Sequence, residues 1–217
     1  VALYDTLFFD RVVVGGTNAE ANQQIINVYK RIEEIRPKML ALSGLNAGGS
    51  GKTSVDLVSR NLQKNSAYIA TQTLESAELV KVTSNAFLAL KISFANSIAM
   101  LADHTGGDFR EIVDAVGADS RIGSLLCNSR GYGGGCFPKD VSGLIASGLD
   151  NGVDLEIVQA TQQVNSMMPG YIVEKLQSAF DGNIASKKIA VLGLSFKVGT
   201  SDARKSPGIA IANLLAR

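Results

Sequence analysis

The fold is decided by a long uninterrupted stretch in the middle of the chain, Leu74–Asp103, which reads LESAELVKVTSNAFLALKISFANSIAMLAD. It contains no glycine and no proline, the residues that most often end or break helices. Its large apolar side chains cover most of the circumference of a helix: Leu79, Val80, Val82, Phe87, Leu90, Phe94, Ile98 and Leu101. A helix that is apolar nearly all round is buried, so the stretch predicts a helix at a domain centre or against a partner subunit.

Shorter helices are predicted after this stretch. Asp108–Val116 follows the break at Gly106 and Gly107 and has helical periodicity. Further helices are predicted over Lys139–Ser147 and Leu155–Phe180. Pro169 is expected to kink or split the last of these, because proline removes a hydrogen bond from the helix interior.

The N-terminal part has the pattern of a βα unit. Arg11–Gly16 is a β-branched run closed by glycines, which predicts a buried strand. Asn18 is the expected N-cap of a helix over Ala19–Ile35, which should stop near Pro37. The following stretch, 38–66, shows no consistent pattern.

The C-terminal part returns to the same alternation. Lys187–Gly193 predicts a strand that runs into Leu194–Lys197, and Pro207 predicts the first turn of another helix. A strand, a turn and a helix in this order open a nucleotide-binding βα unit. The predicted fold class is therefore mainly α with α/β ends: a helical centre around a long core helix, flanked by partial Rossmann-like βα units.

Composition excludes several functional classes. The 217 residues carry 21 Lys and Arg against 20 Asp and Glu, a net charge of +1, which argues against a phosphate-neutralising nucleic-acid binder. The single histidine, His104, and the two cysteines, Cys127 and Cys136, cannot complete a four-ligand zinc site, so no metal is predicted. His104 is interpreted as a helix-terminal residue and Cys127 as a small buried one.

The same features bear on location. Two cysteines in a chain of this length do not form a disulfide scaffold, so a cytoplasmic protein is expected. No apolar stretch reaches the roughly 18 residues of a membrane span, and no signal peptide is visible, so no membrane partner is predicted. The chain has no initiator Met and is expected to be a fragment.

The segment richest in chemical information is Gly131–Asp140, GYGGGCFPKD. Glycines let a backbone approach a ligand closely, and a cysteine near a helix start lies among N–H dipoles that stabilise a thiolate. Lys139 adds positive charge, and Asp140 lies one turn beyond Cys136. The segment therefore predicts a reactive thiol; the alternative is a buried structural cysteine beside a tight turn.

A second pair of polar residues lies on the long helix. Lys81 and Asn85 are four positions apart and therefore share one helix face. A lysine and an amide that converge on a carbonyl carbon can stabilise an oxyanion. The alternative is a solvated lysine on an exposed face.

The stretch Gly44–Thr53, GLNAGGSGKT, partly resembles a phosphate-binding loop. Asn46 stands where such a loop needs glycine, and no strand that ends in aspartate follows. A flexible connection is therefore the favoured interpretation, and a phosphate-loop NTPase is the alternative.

Three motifs resemble the UDP-glucose/GDP-mannose dehydrogenase family. Gly131–Asp140 is similar to that family's GYGGSCFPKD, with Gly135 in place of serine. Ala77–Ala89 and Ile92–Asn96 match its helical motif, and Thr200–Pro207 is similar to TDDxRxSP, with Ser201 in place of the first aspartate. Ala2–Gly15 also resembles the last part of its NAD-binding domain. The GxGYVG fingerprint and the NPEFLxEG segment of that domain do not occur.

The resemblance implies three regions. Residues 1–66 would be the tail of the NAD-binding domain plus an atypical connection. Residues 67–182 would be the helical central and dimerisation domain with the catalytic cysteine. Residues 183–217 would be the truncated start of the UDP-binding domain.

The resemblance also implies roles for individual residues. The catalytic set would be Cys136 as nucleophile, Lys81 for oxyanion stabilisation, Asn85 for positioning, and Asp140 to orient Lys81 or a water. The substrate-binding set would be Arg121, acting on a neighbouring subunit, with Tyr132, Gly133, Phe196 and Lys197. The cofactor-binding set would be Lys139 and Arg204.

The implied function is NAD-dependent oxidation of a nucleotide-sugar C6 alcohol to the uronic acid through a thiohemiacetal and a thioester on the cysteine. The glycine–cysteine motif favours UDP-glucose as the substrate, and a homodimer through the long helix is expected. The alternative is a catalytically inactive fragment that serves as a platform for dimerisation and UDP-sugar binding.

Overall fold

The computed structural model describes residues 7–42, 66–123, 129–185 and 187–216. Four features named above lie wholly or mainly outside these ranges: the first residues of the chain, most of the 38–66 stretch, the glycine-rich 44–53 segment and Cys127. The chain divides into two compact units, Val1–Lys81 and Val82–Arg217. This division differs from the three regions predicted above, which remain a prediction.

The first unit contains a parallel βαβ arrangement. Strand β1 (Arg11–Gly15) and strand β2 (Ala67–Thr71) pair in parallel, with Arg11 opposite Ala67 and Gly15 opposite Thr71. Helix α1 (Ala19–Leu42) follows β1 in the chain. The predicted N-cap is confirmed, because Asn18 Oδ1 accepts a hydrogen bond from the Ala21 N–H at 3.0 Å.

Helix α1 is longer than predicted, and the expected stop near Pro37 is wrong. The helix continues through Pro37 to Leu42. Pro37 is exposed, so water can bond the carbonyl that loses its intrahelical donor. The preceding residue, Arg36, is buried and donates to the carbonyls of Leu7 and Phe9, which fixes this turn against the start of the chain.

The second unit is helical and begins within α2 (Leu74–Thr105), which confirms the predicted long helix. It continues with α3 (Phe109–Gly117), α4 (Phe137–Asp150), α5 (Glu156–Ala179) and α6 (Pro207–Leu215). Helix α5 packs against α4 and α6. The core contains small and medium side chains from α2 and α4 together with one tyrosine: Ala86, Ala89, Tyr132 and Val141.

Two details of the second unit differ from prediction. Helix α5 is continuous through Pro169, so this proline does not split it. Residues 187–194 form no strand, and β1 and β2 are the only paired strands among the described residues. An extended segment becomes a strand only when a neighbour shares its hydrogen bonds, and the described part of this unit provides none. The helix predicted to start at Pro207 is confirmed. The chain is thus mainly α, with a two-stranded parallel sheet in the first unit.

Helix α2 combines length with an apolar surface. It is the one described helix whose length and composition meet the criterion for a membrane span, although the core helix of a soluble protein meets it too. The prediction that no apolar stretch is long enough to span a membrane is therefore wrong for α2. Three of its exposed large side chains recur every seven residues: Phe87 (55%), Phe94 (52%) and Leu101 (59%). Such a stripe is typical of a helix that packs against another helix.

Candidate active site

The predicted thiol lies at the start of a helix. Cys136 is the N-cap residue of α4, and its side chain is exposed. Its carbonyl accepts the first helical hydrogen bond, from the Asp140 N–H at 2.8 Å. The unpaired N–H groups of the first turn favour negative charge here, which suits a thiolate. The alternative of a buried structural cysteine is wrong, since the side chain is in solvent.

The glycines before Cys136 are needed because the segment around residues 196–205 approaches their backbone closely. A Cβ on Gly133 would lie 2.2 Å from the Lys205 carbonyl oxygen. Gly134 has φ +84°, and a Cβ there would lie 2.8 Å from the Phe196 ring. The Gly134 N–H also donates to the Arg204 carbonyl at 2.8 Å. No residue with a side chain would fit these two positions without displacing the backbone.

A buried carboxylate lies one turn inside α4. Asp140 is 6% exposed, and its Oδ2 accepts a hydrogen bond of 2.5 Å from Asn85 Nδ2 on α2. The Lys139 ammonium lies 3.4 Å from Asp140 Oδ1. A buried charge requires such partners, since an isolated carboxylate in the interior is costly. The structure therefore brings two predicted site residues, Asn85 and Asp140, into direct contact.

Lys81 lies on α2 one helical turn before Asn85, as predicted, and its side chain is exposed. The apolar neighbours of Lys81 in the sequence do not bury it. The helix register alone places the ammonium and the Asn85 amide on one face.

Two exposed cations flank the thiol. The Lys139 side chain is 76% exposed and that of Arg204 is 74% exposed. The Arg204 guanidinium lies 2.9 Å from the place where a Cβ on Gly135 would stand. Arg204 also donates to the Asp202 carboxylate, at 3.0 Å from Nε and 2.6 Å from Nη2, and these bonds lower the pKa of Asp202 to about 2. Two exposed cations, each paired with a carboxylate, therefore lie near the exposed cysteine.

The predicted substrate residues of the C-terminal segment lie against this loop. The Phe196 ring covers Gly134, and the Phe196 N–H donates to the Asp202 carbonyl at 3.0 Å. Lys197 is exposed. This segment is held from the loop side by Arg130, which donates to the carbonyls of Gly193 at 2.9 Å and Ser195 at 3.2 Å.

Two predicted site residues are found in other surroundings. The Tyr132 ring is buried in the core, 6.0 Å from the Phe137 ring in an edge-to-face arrangement, and burial raises the pKa of its hydroxyl. Arg121 is exposed and pairs with Asp119 two residues earlier, at 2.6 Å. The structure therefore does not bring the Tyr132 ring or Arg121 to the thiol.

Sequence reasoning missed three residues that hold the loop: Arg130, Asn96 and Asn165. Asn96 is fully buried and accepts from the Ser129 N–H at 2.7 Å, and Asn165 binds the backbone of Tyr132. No local signal marks the two asparagines, because each lies 33 residues from its partner. In the described ranges, no three His, Cys, Asp or Glu side chains gather as metal ligands.

Comparison with known proteins gives a consistent assignment. Residues 75–167 match the central domain of the UDP-glucose/GDP-mannose dehydrogenase family. The chain is 33% identical over 215 residues to a UDP-glucose 6-dehydrogenase of Rickettsia conorii. The aligned residues are 99% of this chain and 42% of that protein. It is also 41% identical over 143 residues to a UDP-glucose 6-dehydrogenase of Bacillus subtilis. These residues are 65% of this chain and 31% of that protein.

The fold agrees with a solved relative. The structure of a UDP-glucose dehydrogenase from the archaeon Pyrobaculum islandicum superposes with a TM-score of 0.77 at 34% identity, over 99% of this chain and 42% of that one. The chain thus spans less than half the length of these two full-length relatives. Within that span, the similarity to the central domain of the UDP-glucose/GDP-mannose dehydrogenase family covers residues 75–167.

Proposed function

We propose that the chain belongs to an enzyme that oxidises the C6 alcohol of a UDP-sugar, with UDP-glucose as the favoured substrate, to the carboxylate. The observation that carries the proposal is the exposed Cys136 at the start of α4, one turn from the buried Asp140 and its hydrogen bond to Asn85. Relatives named UDP-glucose 6-dehydrogenase support the substrate class. The activity is proposed for the whole protein, because this chain spans only 42% of the Rickettsia relative.

The chemistry assigned to Cys136 is covalent. After the alcohol has lost a hydride and a proton, the thiolate sulfur adds to the carbonyl carbon of the aldehyde and forms a thiohemiacetal. Loss of a second hydride from the same carbon, with the hydroxyl proton, leaves a thioester on Cys136. Water then adds to the thioester carbon, the C–S bond breaks, and the acid and the free thiol are released.

The neighbouring polar residues supply charge and orientation. Lys81 is assigned to stabilise the oxyanion that forms when sulfur or water adds to the carbonyl carbon. Asn85 holds the Asp140 carboxylate, which is assigned to orient Lys81 or the attacking water. A buried, hydrogen-bonded carboxylate is suited to orientation because its rotamer is fixed from both sides.

Substrate contacts are assigned mainly to the C-terminal segment. Phe196 and Lys197 would contact the UDP moiety, since the ring borders the glycine loop and the ammonium is exposed. Gly133 would contribute to substrate binding by letting the C-terminal segment, at Lys205, approach the loop backbone. Tyr132 is assigned to fix the loop through its buried ring, and Arg121 to reach the nucleotide sugar of a neighbouring subunit.

The proposed cofactor, NAD, fits the two exposed cations near Cys136. Lys139 and Arg204 are both largely exposed, and Arg204 approaches Gly135 next to Cys136 in the chain, so the two cations suit the negative pyrophosphate of a dinucleotide. Each of two NAD, bound in turn, would accept one of the two hydrides that leave the sugar carbon. The protein's part is to hold the cofactor phosphates through these two cations and to keep the thiol within reach of the aldehyde.

The surrounding organisation is part of the proposal. Residues 1–66 are assigned to the end of the NAD-binding domain, 67–182 to the central domain and 183–217 to the start of the UDP-binding domain. The exposed apolar stripe on α2 supports a homodimer through this helix. A cytoplasmic location follows from the soluble nucleotide-sugar substrate.

A second candidate function is a non-catalytic platform for dimerisation and UDP-sugar binding. It is favoured by the exposed apolar stripe on α2 and the exposed Lys197 of the C-terminal segment, since neither feature requires the thiol. The platform would bind the UDP-sugar through the same C-terminal segment but transfer no hydride.

The test is NADH formation when the protein is supplied with UDP-glucose and NAD. The proposal predicts two NADH for each UDP-glucuronate formed, and no UDP-glucuronate from Cys136→Ala. Cys127→Ala is the matched control, since it removes the other cysteine. UDP-glucose binding without NADH would favour the platform, and full turnover by Cys136→Ala would overturn the assignment of the thiol.

A further inference from the structure

One side chain binds both backbone groups of a residue in the thiol loop. The Tyr132 N–H donates to Asn165 Oδ1 at 2.7 Å, and Asn165 Nδ2 donates to the Tyr132 carbonyl at 3.1 Å. A primary amide offers the same donor and acceptor as a peptide group, so Asn165 takes the place of a neighbouring strand. Tyr132 is buried, so both backbone groups would otherwise lack a partner, which is costly.

The Asn165 amide with its two bonds to the Tyr132 backbone, here called the clamp, is held in place by the helical core. Asn165 lies on α5, one turn after Thr161, whose carbonyl accepts from Ser93 Oγ on α2 at 2.8 Å. Ser93 and Thr161 are both buried. Because the bond joins the interiors of two long helices, the position of the Asn165 amide is set by the helical core and not by the loop.

The loop also fits the clamp sterically. Gly131 has φ +109°, and a Cβ there would lie 2.9 Å from Asn165 Oδ1. The left-handed backbone and the short distance both require glycine at this position. The loop therefore lies directly on the amide.

The residues between the clamp and the thiol are Gly133, Gly134 and Gly135. Glycines have the greatest backbone freedom, so they do not by themselves fix the direction of the chain. The far end of the loop is fixed by α4, where the Cys136 carbonyl accepts from Asp140. The near end is fixed by the bonds to Tyr132, so the path of the glycines is constrained from both ends.

We infer that Asn165 is a positioning residue for Cys136: by holding the Tyr132 backbone, it sets the path of the three glycines and hence the place of the sulfur at the start of α4. The inference rests on the proposed function only in that Cys136 is the reacting group there. Asn165 touches neither sulfur nor substrate, so it acts through the loop.

The test measures the thiol directly and does not need dehydrogenase activity. The rate constant for iodoacetamide at Cys136 is measured at neutral pH by mass spectrometry of the tryptic peptide 131–139, which is separate from the Cys127 peptide. The chain is compared with Asn165→Ala, Asn165→Asp and the control Gln159→Ala. Gln159 lies on the same helix and donates its amide to the Asp154 carboxylate at 2.6 Å, just before the start of α5.

Asn165→Ala is expected to slow alkylation severalfold, since the reactivity of a thiol depends on its access and on the dipoles around it, which change when the sulfur leaves its place at the helix start. Asn165→Asp keeps an acceptor for the Tyr132 N–H and should fall between Asn165→Ala and the parent chain. Gln159→Ala should react at the parent rate. Circular dichroism checks that each variant is folded. If Asn165→Ala does not fold, the comparison is made with Asn165→Asp.

Parent-like alkylation of a folded Asn165 variant would overturn the inference, even if the variant melted at a lower temperature, because a merely structural role changes stability and not the thiol. The two proposals fail separately. Slower alkylation in Asn165→Ala without NADH from the parent would retain the positioning role and reject the dehydrogenase. NADH from the parent with unchanged alkylation would do the reverse.

Discussion

The Asn85 amide on α2 donates a 2.5 Å hydrogen bond to the buried carboxylate of Asp140 on α4, and so joins the long central helix to the first turn of the helix that begins at Cys136. The two residues are 55 positions apart in the chain. The bond makes the position of the helix that carries the thiol depend on α2. The bond therefore ties Asn85, one of the two predicted polar residues on α2, to the helix that carries the thiol.

Replacing Asn85 by alanine should leave the Asp140 carboxylate buried with one donor fewer. Loss of a partner by a buried charged group costs about 1–3 kcal/mol. Urea unfolding should show a decrease of that size in the free energy of unfolding. The control is Asn151→Ala, because Asn151 is exposed and donates only to the Ser147 carbonyl; it should change stability by less than about 0.5 kcal/mol. Equal stabilities for the two variants would contradict the structural importance of the pair.

Replacing Arg130 by alanine should loosen the segment that carries Phe196. The guanidinium holds the carbonyls of Gly193 and Ser195, and two hydrogen bonds at about 1 kcal/mol each correspond to an about tenfold or larger increase in local opening. Hydrogen exchange at the Phe196 amide should therefore become faster. Arg130→Lys should lie in between, and Arg110→Ala on α3 should leave the segment unchanged. Unchanged exchange in Arg130→Ala would show that the guanidinium does not hold the segment.

The pH dependence of Tyr171 provides a test of the contact between α2 and α5. Burial, followed by its hydrogen bond to Asp103, raises the pKa of Tyr171 to about 12. Because the folded pKa lies above the unfolded value of about 10, the stabilising contribution is complete below about pH 10 and is lost as the pH rises through about 12. The tyrosinate absorbance that Tyr171→Phe removes should titrate near 12. A midpoint near 10 would contradict the contact.

The apolar stripe on α2 predicts self-association. Light scattering after size-exclusion chromatography should give twice the chain mass of 22.8 kDa for the parent. Phe94→Glu places a charge in the middle of the stripe and should give the single-chain mass. Ile157→Glu is the matched control, since Ile157 is 68% exposed on α5 and lies off α2. A monomeric parent would reject the stripe as the dimer surface.

Several local features of the fold can be predicted from the sequence because their cause lies within a few residues. The absence of glycine and proline predicts α2, Asn18 is found as the N-cap of α1, and Pro207 begins α6. The same reasoning fails for the Lys187–Gly193 strand, because β pairing depends on a neighbour and not on the segment itself. It also fails for Pro37, whose exposure to water is a tertiary property.

The candidate site divides in the same way. The exposed thiol at a helix start, the helix register of Lys81 and Asn85, and the turn between Cys136 and Asp140 are local and could be predicted. The bond from Asn85 to Asp140 and the clamp of Asn165 on Tyr132 join distant residues, so no spacing in the sequence reveals them. The position of the Tyr132 ring in the core could not be predicted either, because the glycine-rich motif does not indicate which way its tyrosine points.

The central claim is that the Cys136 thiol reacts with a UDP-sugar held beside it. The most direct measurement is the rate of iodoacetamide modification of the tryptic peptide 131–139 with and without saturating UDP-glucose, with the Cys127 peptide as internal reference. The account predicts that UDP-glucose slows modification of Cys136 by about tenfold or more at saturation, as expected for a nucleophile covered by its substrate, and leaves Cys127 unchanged. Equal modification of Cys136 in the presence and absence of UDP-glucose would contradict it.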